Sequence, residues 1–111
     1  MGNRIEGNDS SPGNAIIGGV YYKDSNAIRI WINDEGVCHI RVLKRINFKA
    51  LTDVLEKGIT ESRRYNKTDR TEIRFYISKS LYNEMSRNSK EVVEFCQNCM
   101  NIQFELILIE R

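Results

Sequence analysis

The last forty or so residues of the chain constrain its fold most. In Thr71–Ser80 (TEIRFYISKS), Ile73, Phe75 and Ile77 alternate with Arg74 and Tyr76, the period-two pattern of a strand with one buried face. Ser78 and Ser80 follow in capping positions, ahead of Leu81, Tyr82 and Met85 at helical spacing. After a break at Asn88-Ser89, a second helical stretch over Lys90–Met100 puts Val92, Cys96, Cys99 and Met100 on its core side. Ile102–Ile109 is almost unbroken in apolar residues near its end, the pattern of a strand covered on both faces. Strand, helix and strand in so short a span predict a parallel crossover. Ligands of open α/β sheets gather at the carboxyl ends of such strands, which directs attention to Ser78-Lys79-Ser80.

Three strands are expected upstream. Residues 1–14 are rich in Gly, Asn, Ser and Asp and contain the single proline, Pro12, so they read as a flexible arm ahead of one α/β domain over 15–111. Ala15–Lys23 is a strand candidate in which Gly18-Gly19 marks a bulge or a close backbone approach. Asp24-Ser25-Asn26 turns the chain. Ile28, Ile30 and Ile32 then oppose Arg29 and Trp31, and after Asp34-Glu35-Gly36 the residues Cys38, Ile40 and Val42 oppose His39 and Arg41. Turns this short predict hairpins, and so an antiparallel meander. Asn47 caps a helix whose stripe is Phe48, Leu51, Leu55, Ile59 and Ser62, and Gly58 within it suggests close packing on the sheet. The expected fold class is α/β: a three-stranded antiparallel meander followed by αβαβ, giving a mixed five-stranded sheet with helices packed on it.

A net charge of +2 excludes any argument for nucleic-acid binding from bulk charge, so the placement of the basic residues has to carry it. Arg63, Arg64, Lys67 and Arg70, with Tyr65 among them, crowd the linker before the fourth strand, where they could contact phosphates and stack on a base. Lys79 joins them as a candidate nucleic-acid contact. No run is long enough to cross a bilayer, and three cysteines fit a reducing compartment, so a cytoplasmic protein with no membrane partner is expected. Cys96-Gln97-Asn98-Cys99 has zinc-ligand spacing, but it falls on the apolar stripe of a helix, and Cys38 and His39 point to opposite faces of a strand. Buried thiols are the expected reading, with no metal site.

The order of elements resembles that of the ribonuclease H-like superfamily, whose mixed sheet carries helices on its faces. Arg4-Ile5-Glu6-Gly7 with Ser11–Val20 resembles its first acidic motif and loop, Asn47–Leu55 the start of its first helix, Phe75–Leu81 its strand ending in Asp-Ser, and Phe104–Arg111 its last core strand. In one register Glu6 takes the place of the family's first aspartate. In the other, preferred because it keeps the strand count, Asp24 does. The resemblance implies a carboxylate cluster for two magnesium ions, since hard divalent ions need oxygen ligands for an in-line phosphoryl displacement. Here Leu51 stands where the family has a helix glutamate and Lys79 where it has a strand aspartate. Asp24 and Glu6 are the remaining catalytic candidates, while Asp53, Glu56 and Glu84 read as solvent-facing helix charges.

The expectation is therefore a non-catalytic ribonuclease H-like module that binds RNA or DNA or serves as an accessory part of a larger complex, with no cofactor. The alternative is a small α/β interaction protein of phage or viral type that holds a protein partner by a strand edge or by the Trp31–His39 face. A metal-dependent nuclease, with magnesium as cofactor, is the third reading.

Overall fold

The computed structural model describes residues 19–24, 26–68 and 70–110, the first six through their backbone alone. Eight elements follow one another: β1 (Gly19–Asp24), β2 (Ile28–Asn33), β3 (Cys38–Val42), α1 (Phe48–Tyr65), β4 (Thr71–Ser78), α2 (Lys79–Glu84), α3 (Arg87–Asn98) and β5 (Ile102–Ile109). The strands lie in the sheet in the order β1-β2-β3-β4-β5. The β1–β2 and β2–β3 pairings are antiparallel, whereas β3–β4 and β4–β5 are parallel.

One face of this sheet is the core. Ile30, Ile32, Cys38, Ile40, Ile73, Phe75 and Ile77 are each no more than 2% exposed, and they form one cluster with Leu51, Val54 and Leu55 of α1 and Val93 and Cys96 of α3. Leu81, Tyr82 and Met85, at and beyond α2, pack on the same cluster. Burying one such side chain is worth about 1.5–3 kcal/mol, so this face holds the fold together. At Gly58 α1 lies close on the sheet: a Cβ there would lie 3.0 Å from Ile40 Cδ1 and 3.1 Å from Cys38 Sγ.

The expected ribonuclease H-like architecture, with helices on the faces of the sheet and a last strand covered on both sides, is corrected. All three helices lie on the core face, so the molecule has two layers, and among the described residues no element packs on the other face. Side-chain alternation explains the layering. Each of β2, β3 and β4 buries every second residue and leaves Arg29, Trp31, His39, Arg41, Arg74 and Tyr76 on the far side, where a second helical layer would have to bury arginines. Among the described residues β5 is an edge strand that pairs only with β4, and Leu108 is 40% exposed.

Smaller boundaries shift for local reasons. The strand expected over Ala15–Lys23 runs over Gly19–Asp24, its expected start and Gly18 of the Gly18-Gly19 bulge lying outside the described residues, and a pairing irregularity falls between Tyr21 and Lys23. The break between the last two helices comes at Met85-Ser86, because Ser86 accepts the Ser89 amide at 3.1 Å and caps α3 there. Ser78 caps α2 in the same way through the Leu81 amide. α3 ends at Asn98, which leaves Met100 outside the core and 99% exposed.

The α1 carboxyl end is tied to the meander by backbone contact. Gly36 has φ +88°, and a Cβ there would meet Asn66 Cα at 2.1 Å, so only glycine fits. Buried Ser62 sits beside it: its Oγ lies 2.9 Å from the Gly36 carbonyl and accepts the Glu72 amide at 2.9 Å. These bonds satisfy groups that burial would otherwise penalise.

Candidate nucleic-acid interface

The uncovered face is ordered by strand register. Trp31 of β2 sits opposite His39 of β3, His39 opposite Arg74 of β4, and Arg74 opposite Glu105 of β5. One step along, Arg29 sits opposite Arg41, Arg41 opposite Tyr76, and Tyr76 opposite Ile107. Two adjacent rows thus interleave three aromatic rings with three arginines.

The rings share one orientation. Trp31 and His39 are 5.1 Å apart between centroids with planes within 6°, His39 and Tyr76 are 5.9 Å apart within 15°, and Trp31 and Tyr76 are 6.4 Å apart within 9°. In a single face-to-face column the outer pair would lie at nearly the sum of the two inner spacings. The nearly equal distances instead make a triangular patch of parallel rings, each half-buried. Such a patch offers aromatic surface to a flat ligand at little entropic cost, because its side chains already hold one another in place.

Hydrogen bonds fix the patch. Asn33 Oδ1 accepts the backbone amides of Glu35 and Val37, both at 3.0 Å. Its Nδ2 is therefore the atom that lies 3.4 Å from His39 Nε2, while His39 Nδ1 is 2.9 Å from the Tyr76 hydroxyl oxygen. Burial, helped by the Arg74 charge, brings the His39 pKa down to about 4, so the ring is neutral at pH 7. Burial also raises Tyr76 above the ordinary phenol value. Arg74 lies 3.5 Å from Glu105, an exposed and weak pairing.

The residues singled out from the linker do not form one group. Arg70 reaches this face, where its guanidinium donates to Gln103 Oε1 of β5, next to the Arg74–Glu105 pair. Arg63 instead bonds Thr71 Oγ1, and Arg64 leans on buried Glu61 at 3.7 Å. Tyr65 is exposed at the end of α1, and the Lys67 amide meets the Glu35 carbonyl at 3.5 Å. Lys79 lies at the other end of β4, roughly 30 Å along the strand direction from Arg70, paired with Glu110 at 2.8 Å.

Of the carboxylate candidates, Glu6 lies outside the described residues, and Asp24 ends β1 with its side chain outside them. Leu51 is fully buried in the core. Among the described residues no three His, Cys, Asp or Glu side chains converge as metal ligands. Cys38 and Cys96 are buried thiols, and burial with the Glu61 charge beside it pushes Cys38 up to about 12, far from a reactive thiolate. No helix among the described residues is long and apolar enough to cross a membrane. No family model, curated protein or solved structure matches the chain.

Proposed function

We propose that the protein is a binding module for single-stranded nucleic acid and that the strand lies across the uncovered face of the sheet. The observation that carries this reading is the triangular patch of Trp31, His39 and Tyr76, set among Arg29, Arg41 and Arg74. Aromatic rings exposed on a sheet stack on unpaired bases, and arginines beside them meet phosphates, which is the combination that holds single strands with little regard to sequence. Arg70, joined to the same face through Gln103, extends the cationic track toward the linker. The role needs no carboxylate cluster, and it accords with a neutral His39, whose ring can stack without adding a buried charge.

The test is fluorescence anisotropy on single-stranded RNA and DNA at two salt concentrations, with the parent chain and Trp31→Ala. The expected outcome is affinity that falls with salt and a further loss on Trp31→Ala of about 1–3 kcal/mol, the worth of one stacked base. Affinity that ignores salt, or a Trp31→Ala protein that binds as the parent does, overturns the reading.

One observation favours a second reading, a protein partner held by strand addition. β5 is eight residues long, unpaired along one side among the described residues, and apolar through Ile107, Leu108 and Ile109. Such an edge is a template for an added strand. That reading predicts no salt-dependent binding of nucleic acid, so the same titration separates the two.

A further inference from the structure

We infer that Asn33 and His39 are positioning residues that hold the Tyr76 hydroxyl as an outward-facing hydrogen-bond donor for a phosphodiester oxygen of the bound strand, an inference that rests on the strand-binding reading. The argument is one of proton inventory. Two backbone amides, those of Glu35 and Val37, point at one side-chain atom of Asn33, and only the carbonyl oxygen can accept them. The amide nitrogen therefore faces His39, and because it can only donate, Nε2 of His39 has to accept.

A neutral imidazole carries one proton, so that proton is on Nδ1. Nδ1 lies 2.9 Å from the Tyr76 oxygen and donates to it. The Tyr76 oxygen is thus the acceptor in that bond, and its own proton is left to point away from His39. The position directly across from Tyr76 is Arg41, and Arg74 lies two residues back on the same strand face. An acceptor that meets the hydroxyl there also meets positive charge, which selects an anionic oxygen over a neutral base carbonyl. The relay runs from a hairpin turn to a ligand-facing hydroxyl, and the turn sets its direction.

Two substitutions test this without dismantling the face. Tyr76→Phe keeps the ring and removes only the donor. Asn33→Asp keeps the oxygen that binds the two amides but presents a second acceptor to Nε2. At pH 8 the neutral ring then moves its proton to Nε2, Nδ1 becomes an acceptor, and the Tyr76 proton turns inward. Each variant is expected to bind single-stranded oligonucleotide about tenfold more weakly, the loss of one hydrogen bond to a charged group. The double variant is expected to lose no more than Asn33→Asp alone, because the added charge is common to both and the donor is already gone. Heteronuclear NMR of the free parent chain at pH 8 is expected to show the Nδ1–H tautomer of His39, and of Asn33→Asp the Nε2–H tautomer.

A Tyr76→Phe protein that binds as tightly as the parent overturns the inference and leaves the strand-binding reading standing. So does an Nε2–H tautomer in the parent, or losses that add in the double variant. A parent chain that binds no strand at all removes both.

Discussion

His39 shows how a single side chain on an open sheet face acquires an unusual property. Its ring lies against both Trp31 and Tyr76, and Arg74 is its cross-strand neighbour, so protonation is opposed by burial first and by the guanidinium second. The folded chain takes up this proton only near pH 4, whereas the unfolded chain takes it up near 6.5. Between those values the unfolded state binds more protons. The contribution of His39 to stability is thus complete above pH 6.5 and is lost as pH falls toward 4. Denaturant titrations across pH 4–7 are expected to show this decline in the parent chain and a shallower one in His39→Gln, and the His39 ring resonances are expected to titrate near pH 4. The alternation of Arg29 and Trp31, then His39 and Arg41, was already plain in the sequence as one face of a hairpin. What was missing was Tyr76. Its place beside His39 depends on the parallel register between β3 and β4, and no local pattern encodes that register. The same holds for Gly36, whose turn is readable locally but whose lack of room for a Cβ comes from Asn66, thirty positions away.

Among the elements, β5 is the one whose environment its composition misstates. An apolar run such as Leu106-Ile107-Leu108-Ile109 suits a strand buried on both sides, yet β5 is at the edge, with Leu108 exposed and Ile107 only half-buried on the open face. Hydrophobicity reports that a surface wants to be covered and is silent about whether this chain covers it. The strand lacks the charged or proline residues that blunt edges at its apolar end, so it is the segment most exposed to pairing with another chain. Leu108→Lys is expected to change the unfolding free energy by less than about 1 kcal/mol, since the side chain is already partly in water, and to lower concentration-dependent association in light scattering. Unchanged association would assign any self-contact to another surface. The helices were more legible, because caps are local. Asn47 accepts the Ala50 amide at 2.8 Å, and Ser78 and Ser86 do the same for α2 and α3. Where α3 begins is ambiguous in the sequence because Ser86 and Ser89 compete in that stretch, and of the two Ser86 caps the helix, accepting the Ser89 amide.

At the scale of the whole molecule, the cationic residues are distributed unevenly with respect to the aromatic patch. Arg70 joins the open face, Arg63 and Arg64 remain at the end of α1, and Lys79 lies at the far end of β4 in a pair with Glu110. Neutralising Arg63, Arg64, Lys67 and Arg70 together is therefore expected to weaken strand binding and flatten its dependence on salt only in part, because Arg29, Arg41 and Arg74 remain. Adding Arg41→Gln to that set is expected to flatten it further. A salt dependence that disappears with the linker residues alone would move the site off the sheet. The linker cluster was visible as a run of charge, but a run in sequence has no direction, and the fold sends its members to different sides.

The sheet also carries its strands in the order in which the chain supplies them. A polypeptide made from its amino end could set each ribbon against one already in position, and no early strand has to wait for a late one to be inserted beside it. The same arrangement makes the two rims unequal in age. Among the described strands the first rim is made earliest, and the last, which is also the greasier, is made after the other four.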